Sequence, residues 1–477
     1  MPNHKFAAVP VACLAVAMLL VASAAAAQPL RAPAAQPAPA APVAPAINPD
    51  LAKLTSVPEL LKIGDAAATK EDWDRYGQVV QRVLQLRPYA GNIQLEVAAS
   101  YALRNDKTGG YNALMRLPDQ GYGFEIEQDE RLKNLQGTQV WDYLVGRFAE
   151  NRKPVGDGRV FATLPKQDLL IESLAWDSMG SSLFAGSVRT GKVSRVGVDG
   201  KLVDFIVPDK ANGIGGVFDI AVDSRRKILW VATAQVPHAR HSDPARYGDA
   251  ALVKFDLVSG KLIKRFDIPP EGSPHLPSGM AVGADGALFV ADTVQPVIWK
   301  IEGDSLRTVV RNPSLTGIRA LALNGEGNVL YIADHELGVF GLDLADGGAF
   351  QLTGPPQLTL YAVDALAWHD GKLIAVQNGF PPARVMRFAL DASGRQIVNS
   401  QILDAGHKAF GIPGSGVVGG DAFYLIANSQ KDGVDGNGNL IDAKRLEGVR
   451  IFRTSLAAPM PEARELPASL RGLPAHK

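Results

Sequence analysis

Cysteine is almost missing from this chain: Cys13 is the only one in 477 residues. With no second thiol there is no intramolecular disulfide, so the fold must rest on its core. Charge of one sign is lacking too, because Lys and Arg number 49 and so do Asp and Glu. That balance excludes a basic footprint for nucleic acid. Gly-x-Ser-x-Gly does not occur, and "GSGVV" at 414–418 reads as a strand start, so a hydrolase nucleophile elbow has no support. The two histidines of "HARHSD", His238 and His241, stand three apart on a loop with no second pair nearby, a poor set of metal ligands. "DGVDGNGNLID" (432–442) suggests a calcium loop, but its register puts Gly433 and Lys444 where acids are needed and leaves a solvated hairpin.

What is present begins with His4 and Lys5, an apolar run from Phe6 to about Leu20, and small residues ending at Ala27. This pattern predicts a secretory signal over 1–27, with no stop-transfer segment and so no permanent membrane anchor. The expected compartment is the bacterial periplasm or the exterior. Residues 28–49 are rich in alanine and proline and form a spacer. From 50 to 152 the apolar residues recur at helical spacing, as in "EDWDRYGQVVQRVLQLRP" and "NIQLEVAASYALRND". With Pro88 closing a 34-residue hairpin, Val80 and Val83, then Val97, Ala98, Tyr101, Gly110, Leu114 and Leu117, fall on packing positions of a tetratricopeptide-like repeat. "DERLKNLQGTQVWDYLV" reads as a degenerate capping unit. The helical domain either docks on its neighbour as a cap or binds a protein partner.

Beyond residue 155 short strands take over. "IESLAWDSMGSSLFAGS", "VFDIAVDSRRKILWVAT", "PSGMAVGADGALFVADT", "IRALALNGEGNVLYIAD", "VDALAWHDGKLIAVQN" and "PGSGVVGGDAFYLIAN" each hold an apolar strand, a turn and a second apolar strand. The second strands end at Ser187, Thr233, Asp292, Asp334, Gln377 and Asn428, spacings of 42 to 59 residues that leave room for four strands per unit. The fold class is therefore mostly β: a six-bladed β-propeller over 155–457 behind the small helical domain, with a tail from 458 to 477. "RVFATLP" (159–165) is expected to supply the outer strand of the last blade and so close the ring.

In each blade the start of the innermost strand and the end of the second share one face. That face is expected to collect Glu172, Asp219, Ser278, Arg319, Asp364 and Ser415, the six strand-end residues, and the insertion 235–250 with His238, His241, Asp243 and Arg246. Arg319 beside Asp219 and Asp364 either balances charges lining a narrow channel or clamps a ligand carboxylate.

"ESLAW", "PSGMAV" and "ALFVADT" resemble the first-blade Glu-Gly-Pro-x-Trp, the Pro-Asp-Gly-Met strand and the Ala-Asp-Thr strand end of the gluconolactonase, regucalcin and senescence marker family of six-bladed propellers. The resemblance runs over roughly 158–457. It implies a divalent cation, calcium or zinc, at the channel mouth, with Glu172 as a metal ligand, polarising a lactone carbonyl or activating water. Two pieces of the pattern depart: Ser278 stands where the family has an aspartate thought to serve as ligand and general base, and no Pro-Asn-Gly strand start occurs, the corresponding starts being Phe218, Ile318 and Val363.

Two classes of function follow. One is an exported protein that binds a small molecule at the mouth and acts as a metal-dependent lactonase or esterase, with Asp219, Asp292 and Asp364 as catalytic candidates and Arg319, Ser278, Asp334, Asn428 and His238 as ligand contacts. The other is a non-catalytic scaffold that uses the helical domain as a docking arm.

Overall fold

The computed structural model describes residues 47–460; the expected signal peptide, nearly all of the proline spacer and most of the tail lie outside them. Among the described residues no helix is long and apolar enough to cross a membrane.

The helical domain is built from hairpins whose corresponding helices begin 34 residues apart, Val57–Thr69 with Trp73–Leu86 and Gly91–Leu103 with Lys107–Asp119. Each start has a local reason. Ser56, Asp72, Asp106 and Thr138 accept from the N–H groups of Glu59, Arg75, Gly109 and Trp141, satisfying donors that the first turn leaves orphaned. Val80, Val83, Ala98, Leu114 and Leu117 are fully buried between these helices. A 3-10 segment, Glu130–Leu135, and the helix Gln139–Asn151 cover the end of the stack.

Residues 159–455 form six sheets of four antiparallel strands. The innermost strands, Ile171–Asp177, Gly216–Asp223, Pro277–Val282, Ile318–Leu323, Val363–His369 and Gly416–Gly419, touch one another in cyclic order around a central channel. Second strands such as Leu288–Asp292 are buried at every position. They lie between neighbouring blades, so both faces are covered and they read as unbroken apolar runs. Arg159–Thr163 pairs with Arg450–Ser455 as the outer strand of the sixth blade, with Val160 opposite Phe452 and Thr163 opposite Arg450. First and last strands of the domain thus share one sheet, which leaves no open seam.

The helical domain rests on the rim of the propeller over blades four and five. Tyr122, fully buried, stacks on Phe380 with ring centroids 3.9 Å apart. The guanidinium of Arg384 lies 3.6 Å from the Phe380 ring centroid and donates to the Gln120 carbonyl and to Gln377 Oε1. Burial lowers the Arg384 pKa to about 10, against the opposing pull of Tyr122. Gly123 N–H donates to the Pro381 carbonyl at 2.6 Å, the Tyr361 hydroxyl donates to Asn92 Oδ1, and Arg87 pairs with Glu336.

Candidate functional site

Five of the six innermost strands break register near their first residue. The pairing skips Glu172, Phe218, Gly279, Arg319 and Asp364, each an extra residue against its second strand. A bulge of this kind bends the strand and re-aims a side chain. All five line one cavity of about 560 Å³ that occupies the mouth and continues down the channel. In blade three the bulge needs glycine: Gly279 has φ +66°, and a Cβ there would meet the Arg319 carbonyl oxygen at 3.0 Å.

Asp219 follows a bulge instead of occupying it, so its carboxylate serves the neighbouring blade. It accepts from Met280 N–H at 2.6 Å and from Ile220 N–H at 2.9 Å. Burial pushes its carboxyl up to about 7, outweighing these amide donors and Gly279 N–H. Ser278 shares a hydrogen bond with Thr293 on the same wall.

Asp364 is the hub of the mouth, its side chain 9% exposed. Lys431 Nζ donates to Oδ2 at 3.3 Å, and Asn378 donates to the same oxygen while reaching the Pro413 carbonyl. Oδ1 faces His335 Nε2 at 3.7 Å and Arg319 Nε at 3.9 Å, both too far for a direct hydrogen bond, and has no hydrogen-bond partner. Burial alone would raise the Asp364 pKa, but Lys431, His335 and Arg319 together hold it below the usual carboxylate range. Burial lowers the pKa of His335, which is therefore neutral at pH 7. Glu172 accepts from the Ser429 hydroxyl at 2.6 Å. Burial raises its pKa against the pull of Lys431 and Ser429. Burial would lower the pKa of Lys431, yet Asp364 and Glu172 raise it, so the ammonium stays charged.

On the opposite side, the insertion between the second and third strands of blade two meets the hairpin 432–442. His238 Nε2 lies 2.9 Å from the Asp435 carbonyl. A carbonyl only accepts, so Nε2 carries the proton and Nδ1 is an acceptor, buried and without a hydrogen-bond partner. Arg189 ties the two segments together by donating to the His238 and Gly438 carbonyls, both at 2.7 Å. The hairpin expected at 432–442 is present, closed by the Val434–Leu440 bridge.

The structure therefore brings together Glu172, Asp219, Ser278, Arg319, Asp364 and His238 as cavity walls. Asp292, Asp334 and Asn428 lie elsewhere. Asp292 is wholly buried and accepts from His275, Val294 N–H and Gln295 N–H. Asp334 accepts from the N–H groups of Thr316, Gly317, Glu336 and Leu337. Asn428 links Arg450 N–H to the Gly448 carbonyl. These three strand-end residues clamp loops within their blades, and their polar atoms are spent on that. The residue after each strand end faces the mouth instead: Thr293, His335 and Ser429, with Asn378 after Gln377. Those four and Lys431 were not among the sequence candidates. The usable signal was the strand alternation, which turns the next side chain to the other side.

A divalent ion does not fit these residues. Among the described residues no three His, Cys, Asp or Glu side chains converge as ligands. Two carboxylates of the cavity, Glu172 and Asp364, already face the cations Lys431 and Arg319. A further double positive charge would find no excess of negative charge to hold it.

No known family profile matches the chain, and no curated protein does. Solved structures similar to it include six-bladed propellers. A gluconolactonase from Xanthomonas campestris is 15% identical, covers 64% of this chain and 92% of its own, and has a TM-score of 0.42. A calcium-binding protein, regucalcin, from Agrobacterium tumefaciens is 11% identical over 63% of this chain and 95% of its own, with a TM-score of 0.44. An aldose sugar dehydrogenase from Streptomyces coelicolor is 16% identical over 64% and 99%, with a TM-score of 0.42. The likeness is one of fold.

Proposed function

We propose that this is an exported propeller that binds a small polyhydroxylated molecule at the channel mouth without a metal ion. The observation that carries the reading is a pair of buried acceptors in the cavity region, Asp364 Oδ1 and His238 Nδ1, neither of which has a hydrogen-bond partner in the protein. A buried acceptor left unmet costs free energy, which a donor brought from outside, such as a ligand hydroxyl, would relieve. A hydroxyl lying between Asp364 Oδ1 and His335 would bridge the 3.7 Å gap. Lys431 and Arg319 supply the complementary donors for a carbonyl, ring or carboxyl oxygen. Phe218, Leu276 and Val434 give the same cavity an apolar wall for a ring face.

Glu172, whose pKa burial raises, is the group placed to exchange a proton with the ligand if a lactone or ester is opened here. Calorimetric titration with an aldonolactone, the matching aldonate and the free sugar tests the binding. At least one is expected to bind in the presence of a chelator, and Asp364→Asn and His238→Phe are each expected to weaken it tenfold or more. Absence of saturable binding by the whole panel would defeat the reading, and lactone turnover in the same samples separates a hydrolase from a pure binder.

A further inference from the structure

The loop that follows the second strand of blade six carries Ser429, Gln430 and Lys431, and each side chain has a separate task. Ser429 donates to Glu172 in blade one. Gln430 is buried and fastens the loop across the ring closure: its Oε1 accepts from Leu169 and Leu170 N–H, and its Nε2 donates to the Gln167 and Glu447 carbonyls. Lys431 N–H donates back to Ser429 Oγ. The backbone under Lys431 is thus pinned, and its stem projects into the mouth, where Nζ reaches Asp364. Of the three ammonium N–H groups, one is given to Asp364.

From this arrangement we propose that Lys431 is the site's own cation. Its ammonium, held by Asp364 in the cavity that Glu172 also lines, supplies the positive charge that a divalent ion would otherwise bring, excludes such an ion, and offers an N–H to the carbonyl or ring oxygen of the ligand. The exclusion rests on charge and position alone. A divalent ion brought to Asp364 would meet the Lys431 ammonium, 3.3 Å from that carboxylate, and Arg319, 3.9 Å from it, and like charges so close inside a protein repel strongly. The donor role deepens the binding reading given above. The ion experiments use no organic ligand, so they stand or fall separately from it.

The test is titration of calcium and zinc into the full-length mature protein, followed by calorimetry and melting temperature. Wild type is expected to show no saturable ion binding at the mouth and no change of melting temperature on adding a chelator. Lys431→Met removes the charge and keeps the stem, and should bind one of the two ions at least tenfold more tightly than wild type. Adding Glu172→Gln to Lys431→Met should abolish that gain, which separates the mouth from adventitious histidine sites. Lys431→Arg should behave as wild type. Where Lys431→Met fails to fold, Lys431→Gln replaces it. A wild-type ion affinity that Glu172→Gln removes, a chelator-sensitive melting temperature, or a folded Lys431→Met or Lys431→Gln with no gain in ion binding would each overturn the proposal.

Discussion

Replacing Asp364 with asparagine removes one negative charge from the centre of the mouth while keeping the shape of the side chain. The carbonyl oxygen of the introduced amide still accepts from Asn378, so that contact survives the change. What is lost is the counter-charge to Lys431 at 3.3 Å and Arg319 at 3.9 Å. Removing one partner of a buried ion pair costs about 3–5 kcal/mol. Lys431 and Arg319 keep 27% and 22% side-chain exposure and hence some solvation, so the lower end, about 3 kcal/mol, is the expected loss. At roughly 2–4 °C per kcal/mol, the propeller should melt about 6–12 °C lower at pH 7. The pH dependence has a definite sign. The Asp364 pKa is depressed in the fold, so its contribution is fully present above the ordinary carboxylate pKa and fades as pH falls through the depressed value. The gap between wild type and Asp364→Asn should hold from pH 7 to about pH 4 and close below that. Scanning calorimetry across this range checks it. Equal melting temperatures at pH 7, or a gap that widens on acidification, would refute the view that Asp364 is the anchor of both cations.

Two further outcomes follow from the same geometry. Asp219, lifted to about 7 by burial, should titrate near neutrality by carbon-detected NMR; because the folded state holds the proton more tightly, stability should fall as pH rises from about 4 through 7, and Asp219→Asn should flatten that slope, an unchanged slope counting against it. Phe380→Ala removes the ring on which Tyr122 stacks and should cost about 3–5 kcal/mol, releasing the helical domain to an earlier transition and faster proteolysis; one undisturbed transition would show that the stack does not couple the domains.

The fold was legible because propeller blades write themselves into sequence. Each blade repeats an apolar strand, a turn and an apolar strand, and the two faces of every second strand are buried by neighbours, as at Leu288–Asp292. The closing strand Arg159–Thr163 was legible for a related reason, since the sixth blade lacks a readable outer strand after Arg450–Ser455. The strand starts that line the mouth were also readable, because Glu172, Arg319 and Asp364 sit at one equivalent position. The strand ends were not. Asp292 and Asp334 carry the right chemistry for a site, but each collects backbone donors from its own loop. Lys431 was illegible for another reason: it lies 67 residues from Asp364 on a loop whose conformation is fixed by Gln430 across the ring closure. No local pattern encodes a contact made by ring closure.

The helical domain bears on the mouth through the loops that it touches. Glu336, which pairs with Arg87, adjoins His335, and the Tyr361 ring that reaches Asn92 also lies against His335, with centroids 5.8 Å apart. Phe380, under Tyr122, is two residues beyond Asn378, whose amide holds Asp364. On the far side Arg189 locks His238 and the hairpin tip at Gly438. Two opposite walls of the mouth are therefore held by contacts beyond their own blades, one by the docked domain and one by Arg189 of blade one. Side chains held by such outer contacts keep a fixed geometry, which a site lined by loops otherwise lacks. A weakened Tyr122–Phe380 stack should then reach ligand binding through His335 and Asn378 although neither Tyr122 nor Phe380 lines the cavity.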